Sequence, residues 1–214
     1  MKGMKIIALA TVIFPALVTL SNADSNILLN KPVFVVNGSM QITNPSTSLS
    51  VIDNGVFLPE STTFGSSAAI ANAVEWTTTD GQPAGSGNAP TTLEIDLGGF
   101  FAISGAIMQA DNNDSYLLQY RDPSTSTWLT LWNVPGVAGV GFTTRPNADQ
   151  TTFQSLSPIV TDAVRVSATS GDSALGVSEI QLNGSAVPEP SPSVLIALGA
   201  ILNFGIARLR KRSK

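Results

Sequence analysis

LEIDLGGFFAISGAIMQ, residues 93–109, decides the fold. Its first five positions alternate apolar and acidic, Leu93-Glu94-Ile95-Asp96-Leu97, and stop at Gly98-Gly99. A period of two puts the aliphatic side chains on one face and the carboxylates on the other, as in a strand with one dry side. Beyond the glycines a second apolar run, 101–109, contains Gly105, which predicts a bulge or a close packing contact. Further on, residues 116–121 and 128–134 flank the turn sequence Asp122-Pro123-Ser124-Thr125 and read as a hairpin. Phe153 is expected on another short strand. Val164/Val166 and Ile180/Leu182 mark the last two strands, with Arg165, Glu179 and Gln181 facing the other way. Toward the N-terminus, residues 33–36 suit a strand, 51–57 hold an Asp-Asn-Gly turn, 66–75 are alanine-rich enough for a helical turn, and 77–90 read as a loop. The expected class is all-β, with antiparallel strands packed as a sandwich.

Composition narrows the function. The chain has 214 residues, one or at most two domains. Between two unlike ends, residues 24–187 hold 14 acidic residues against four basic ones (Lys31, Arg121, Arg145, Arg165), a formal charge of −10. Such a surface repels phosphate backbones and argues against nucleic acid as a partner. There is no cysteine and no histidine. Packing alone must therefore hold the body together, and the commonest general base and transition-metal ligand are missing. A Ser-His-Asp site is impossible, and Lys31 is the sole lysine of the body for a Ser-Lys pair. Glu94 and Asp96 share a strand face, which suits either an acid–base pair or simply the polar side of a strand with Asp96 capping the glycine turn. An enzyme is not expected.

The two ends carry addresses. Lys2 and Lys5 precede an uncharged, largely apolar run, 6–20, and Ser21-Asn22-Ala23 sets small residues at a cleavage site after Ala23. That order predicts a signal peptide, 1–23, removed by signal peptidase; a retained anchor helix is the alternative. At the other end, Pro188-Glu189-Pro190 leads into Ser191-Pro192, a helix start, then an apolar run, 194–207, and the basic cluster Arg208, Arg210, Lys211 and Arg212. Fourteen helical residues reach about 21 Å, short of a ~30 Å hydrocarbon core, and snorkelling arginines close much of the gap. Basic residues after the span place the C-terminus in the cytoplasm and the body across the membrane.

This tripeptide–span–arginine order, in residues 187–214, resembles the PEP-CTERM sorting signal; an ordinary tail anchor would read the same way physically. The resemblance implies an exosortase that recognises Pro188-Glu189-Pro190 and removes the tail. It also implies a transient inner-membrane tether and delivery to the cell surface or extracellular matrix of a Gram-negative, exopolysaccharide-making bacterium.

Between the ends, residues 24–186, a second resemblance covers roughly 93–184. The pieces are Leu93-Glu94-Ile95-Asp96-Leu97-Gly98, Ile103-Ser104-Gly105-Ala106-Ile107, Tyr116-Leu117-Leu118-Gln119-Tyr120-Arg121-Asp122 with Trp128, Ala163-Val164-Arg165-Val166, and Val177-Ser178-Glu179-Ile180-Gln181-Leu182. In that order they resemble the discoidin, or coagulation-factor C-type, domain of the galactose-binding-like jelly rolls. The cysteines that staple many members are absent, and no ligand contacts are recognisable. The resemblance implies a jelly-roll β-sandwich whose loops at one end meet a ligand; the ligand is not carried over from it, and carbohydrate or exopolysaccharide is expected because an aromatic with an arginine suits stacking on and bonding to a sugar. On that basis Phe142 and Arg145, the largest side chains of the long connection 135–150, are candidate ligand contacts; a flexible insertion is the competing reading. Asp111-Asn112-Asn113-Asp114-Ser115 is oxygen-rich, so Asp111 and Asp114 are candidates for a structural Ca2+, although the same residues are the usual turn formers. Trp76, Trp128 and Trp132 suit an aromatic platform, but Trp128 and Trp132 share strand parity, which points that pair into the core. The expected function is an exported, non-catalytic carbohydrate-binding or adhesion module. The rivals are a structural surface protein without a ligand and, more remotely, a glycan-acting enzyme.

Overall fold

The computed structural model describes residues 25–37, 41–42, 48–77, 91–172 and 174–188. The expected signal segment with Ala23, most of the loop 77–90, and the tail from Glu189 onward, with Pro190, Arg208, Arg210, Lys211 and Arg212, lie outside these residues. Among the described residues no helix is long and apolar enough to cross a membrane.

The elements in order are β1 (Ser25–Asn26), β2 (Val33–Asn37), β3 (Gln41–Ile42), a 3-10 turn (Leu49–Asp53), α1 (Ser67–Asn72), β4 (Val74–Thr77), β5 (Thr92–Asp111), β6 (Ser115–Arg121), β7 (Trp128–Val134), β8 (Phe142–Arg145), β9 (Gln154–Ser170) and β10 (Ala174–Ala186). The two apolar runs read as separate strands are thus one, β5. Gly98 sits at φ +72° and its N–H donates to the Asp96 carboxylate at 2.9 Å, the capping role expected of Asp96. Register with β9 slips between Asp96 and Phe101, so the strand bends there and leaves one sheet for another. The first half of β5 lies between β2 and the second half of β9. The second half lies between β10 and, on its other side, β8 and the first half of β9.

Two sheets result, continuous through the bent strands. One runs β2–β5–β9–β6–β7; the other is built on β10 and β5, with β4, β3 and β1 beyond β10. They face each other across one buried cluster. Leu93, Ile95, Leu97, Leu118, Val164 and Val166 come from the first sheet, and Met108, Ala110, Val177, Ile180 and Leu182 from the second. Each of these leucine, isoleucine, valine and methionine side chains contributes about 1.5–3 kcal/mol when fully buried. This all-β, two-sheet arrangement fits the jelly-roll sandwich that the resemblance implied.

Three local expectations are corrected. Phe153 lies just before β9 rather than on a strand of its own. The connection 135–150 contains β8, which pairs Phe142 with Asp111 and Arg145 with Met108. Trp128 and Trp132 do not share a face: register between β6 and β7 shifts between Leu118 and Gln119, so Leu118 opposes Trp132 while Arg121 opposes Trp128. The extra residue reverses the alternation, sending Trp132 into the core and Trp128 outward.

The outer faces of the two sheets are treated differently. Residues 49–73 fold over the second sheet. Ser66 caps α1 by accepting from the Ala69 N–H, and Leu58, Ala69, Ala73 and Phe142 form a small second cluster there. Gln109, fully buried, pins this cover: its Oε1 accepts from the Leu58 N–H at 2.7 Å and its Nε2 donates to the Leu58 carbonyl at 2.9 Å. The first sheet carries no such layer from these residues.

Candidate functional site

Three places carry chemistry. The first is the loop end expected to meet a ligand. Phe142 is fully buried there, stacked on Phe64 with ring centroids 6.4 Å apart. Arg145 is 1% exposed. Its guanidinium donates to the carbonyls of Ala110, Thr143 and Asp111, each at 2.6 Å, of Asp114 at 3.1 Å and of Pro135 at 3.2 Å. The expectation that these two side chains face a ligand is therefore corrected. One ring face is taken by another phenylalanine, and the guanidinium ties together the backbone of the β5–β6 turn and the start of the β7–β8 connection.

The calcium expectation at Asp111 and Asp114 is corrected for the same reason. The carbonyls of that loop already hold a cation, Arg145, and among the described residues no group of three or more carboxylates, histidines or cysteines could hold a metal. Asp111 accepts from the Asn112 N–H at 2.8 Å. Asp114 is fully buried, with Oδ2 3.1 Å from the Tyr116 hydroxyl. It packs so closely on Gly171 that a Cβ there would fall 1.8 Å from Oδ1. Burial, then the neighbouring Asp111 charge, pushes the Asp114 carboxyl up to about 7.

The second place was not singled out from the sequence. Glu179 on β10 points away from the core as expected, yet it is fully buried beneath the 3-10 turn and Gly55. Its Oε1 accepts from the Gly55 N–H at 3.0 Å and from the Gln181 amide at 3.1 Å, while Oε2 has no partner. Asp53, also fully buried, accepts from the Lys31 N–H at 2.7 Å through Oδ2, while Oδ1 is bare. Burial pushes Glu179 up to about 8 and Asp53 up to about 6, and the Asp53 charge contributes to the shift at Glu179. Two neighbouring carboxylates thus each keep a buried oxygen without a donor among the described residues, which favours their protonated forms.

The third place is the open face of the first sheet. Trp128 stands there half-buried, with the Arg165 guanidinium 4.4 Å from its ring centroid. Arg165 Nε donates to Gln119 Oε1 at 2.8 Å. Arg121 Nε donates to Asp162 at 2.8 Å, which favours its charged form, whereas burial lowers the pKa of Arg165 against a smaller opposing pull from Glu94. Phe34, on the edge strand, is 51% exposed. Of the expected platform, Trp76 and Trp132 are core residues, and Trp128 alone reaches this surface. The face was hard to find from sequence because the β7 bulge inverts the parity that sorts its residues.

No protein-family model matches the chain, and no curated protein matches it. Solved structures similar to it include the family 32 carbohydrate-binding module of Clostridium perfringens NanJ in complex with galactose, at 14% identity, 76% of this chain, 99% of that one and TM-score 0.46. Chitosan-binding module 1 of a Paenibacillus sp. IK-5 chitosanase/glucanase is similar at 16% identity over 74% of this chain and 98% of that one, TM-score 0.43. SpGH29 is similar at 13% identity and TM-score 0.43 over 77% of this chain, which spans 28% of that longer one. These are low-identity likenesses of chain path, and no side-chain role is carried over from them.

Proposed function

We propose that this chain is a non-catalytic carbohydrate-binding or adhesion module, exported and sorted to the cell surface or extracellular matrix. The observation that carries the reading is the contrast between the outer faces. One is sealed by residues 49–73, and the other displays a tryptophan braced by an arginine among amide and carboxylate groups. Aromatic faces beside fixed donors and acceptors are what a sugar, apolar on its C–H faces and polar at its rim, requires. The strand-paired carboxylates support binding rather than chemistry: Asp96 caps its own turn, and Glu94 sits beside the two arginines.

For sorting, the support is positional. The Val187 N–H donates to the Phe100 carbonyl at 2.8 Å, and exposed Pro188 follows at once, so the tripeptide read as the exosortase signal begins where the sandwich ends.

The test is retention of the purified chain in native gels containing polysaccharides. Retardation by at least one polymer supports the module. Unchanged mobility of the folded chain in every polymer, including those of its producing strain, supports a structural surface protein instead.

A further inference from the structure

We infer, resting on the carbohydrate-binding reading above, that the ligand is an uncharged, extended polysaccharide lying across the strands of the open face, from β7 to β2. Five residues on five adjacent strands are in register: Thr130 opposes Gln119, Gln119 opposes Arg165, Arg165 opposes Glu94, and Glu94 opposes Phe34. Four interstrand spacings make a row of about 19 Å, longer than a single sugar needs. Aromatic rings mark its two sides, Trp128 next to Thr130 on β7 and exposed Phe34 on β2. Between them lie an amide, a guanidinium and a carboxylate, all three planar groups.

Charge selects the class of polymer. On this face Arg121 is bonded to Asp162 at 2.8 Å, and Glu94 stands opposite Arg165 across the β5–β9 ladder, so each arginine has a carboxylate nearby. The row offers hydroxyls both donors and acceptors without a net positive field, and residues 24–187 as a whole carry a formal −10 that repels polyanions. The site is also preformed. Arg165 stacks on Trp128 and is itself held by Gln119, so little side-chain freedom remains to be lost on binding. The loop end offers less: Phe142 and Arg145 are internal, and the Asn113 amide is bonded to Asp172 at 2.9 Å.

Affinity electrophoresis of the full chain in mixed-linkage β-glucan, galactan and alginate tests this, with Trp128→Ala, Thr130→Arg and Phe34→Ala as variants. Thr130 is exposed, so Thr130→Arg blocks the row without touching the core. The expected result is retardation by an uncharged polymer and not by alginate. Trp128→Ala and Thr130→Arg should each weaken it about tenfold or more. Phe34→Ala should weaken binding of the polymer several-fold and leave binding of its disaccharide unchanged. Retardation of Thr130→Arg equal to wild type would place the glycan elsewhere and overturn this inference, leaving the carbohydrate reading intact. Retardation by alginate alone would overturn the polymer class. A folded wild type that no polysaccharide retards, or one whose open face captures a protein instead, would remove the carbohydrate reading as well.

Discussion

Arg145 shows how far a residue's role depends on what its backbone neighbours leave unpaired. Five carbonyl oxygens from four segments converge on one guanidinium, so removing it would leave buried acceptors short of a donor. Arg145→Met should therefore destabilise the chain by about 3 kcal/mol or more, roughly 6–12 °C in Tm by thermal denaturation. Polysaccharide retardation of the remaining folded protein should not change. Asp114, in the same corner, makes a prediction in pH. Its folded carboxyl titrates near 7 against an ordinary value of 3.8. Between those values the folded form keeps a proton that the unfolded form sheds, so stability is fully present at low pH and is lost as pH rises through 7. Tm should fall between pH 5 and pH 8, and less so in Asp114→Asn, whose neutral amide removes that proton uptake. Equal slopes for the two proteins would contradict the placement of Asp114.

At the scale of elements, the bulges separate what was legible in the sequence from what was not. Strand identities in β5, β6, β7, β9 and β10 follow from alternation, because each has one face on the core. What alternation cannot show is where it is interrupted. The slip between Leu118 and Gln119 moves Trp128 from core to surface, and β8 hides within a glycine-rich connection because four residues are too few to show a period. Glu179 illustrates a second limit. Its direction was readable, but its burial comes from residues 49–55, more than 120 positions away, whose docking no local pattern announces. That docking carries its own prediction. Burial raises Glu179 from 4.5 to about 8 in the fold, so the stability it contributes is present at low pH and Tm should fall as pH rises through 8. Glu179→Gln should flatten that fall, and an unchanged slope would contradict the buried placement of Glu179.

As a whole molecule, the sandwich has a polarity. Ser25 opposes Gly184, and β10 ends at Ala186, so both described termini leave from the end that holds the Gly98 corner. Asp111, Asn113 and Asp172 lie at the opposite end, and the open face runs between the two ends. A body tethered through its C-terminal tail would therefore present the open face sideways and the loop end outward. Ending the chain after Pro188 should leave the sandwich folded, with Tm within about 1 °C of the full chain, because among the described residues the last backbone bond to it is made by Val187. Loss of the cooperative transition would show that the tail belongs to the fold. The most direct test of the open face as binding surface uses the three tryptophans as internal reporters. Trp76 and Trp132 are core residues and Trp128 lies under Arg165 on the surface. In nitrogen-15 correlation spectra, saturating polysaccharide should shift the indole signal of Trp128 and leave the other two in place. A bound complex in which the Trp128 signal does not move would contradict the account.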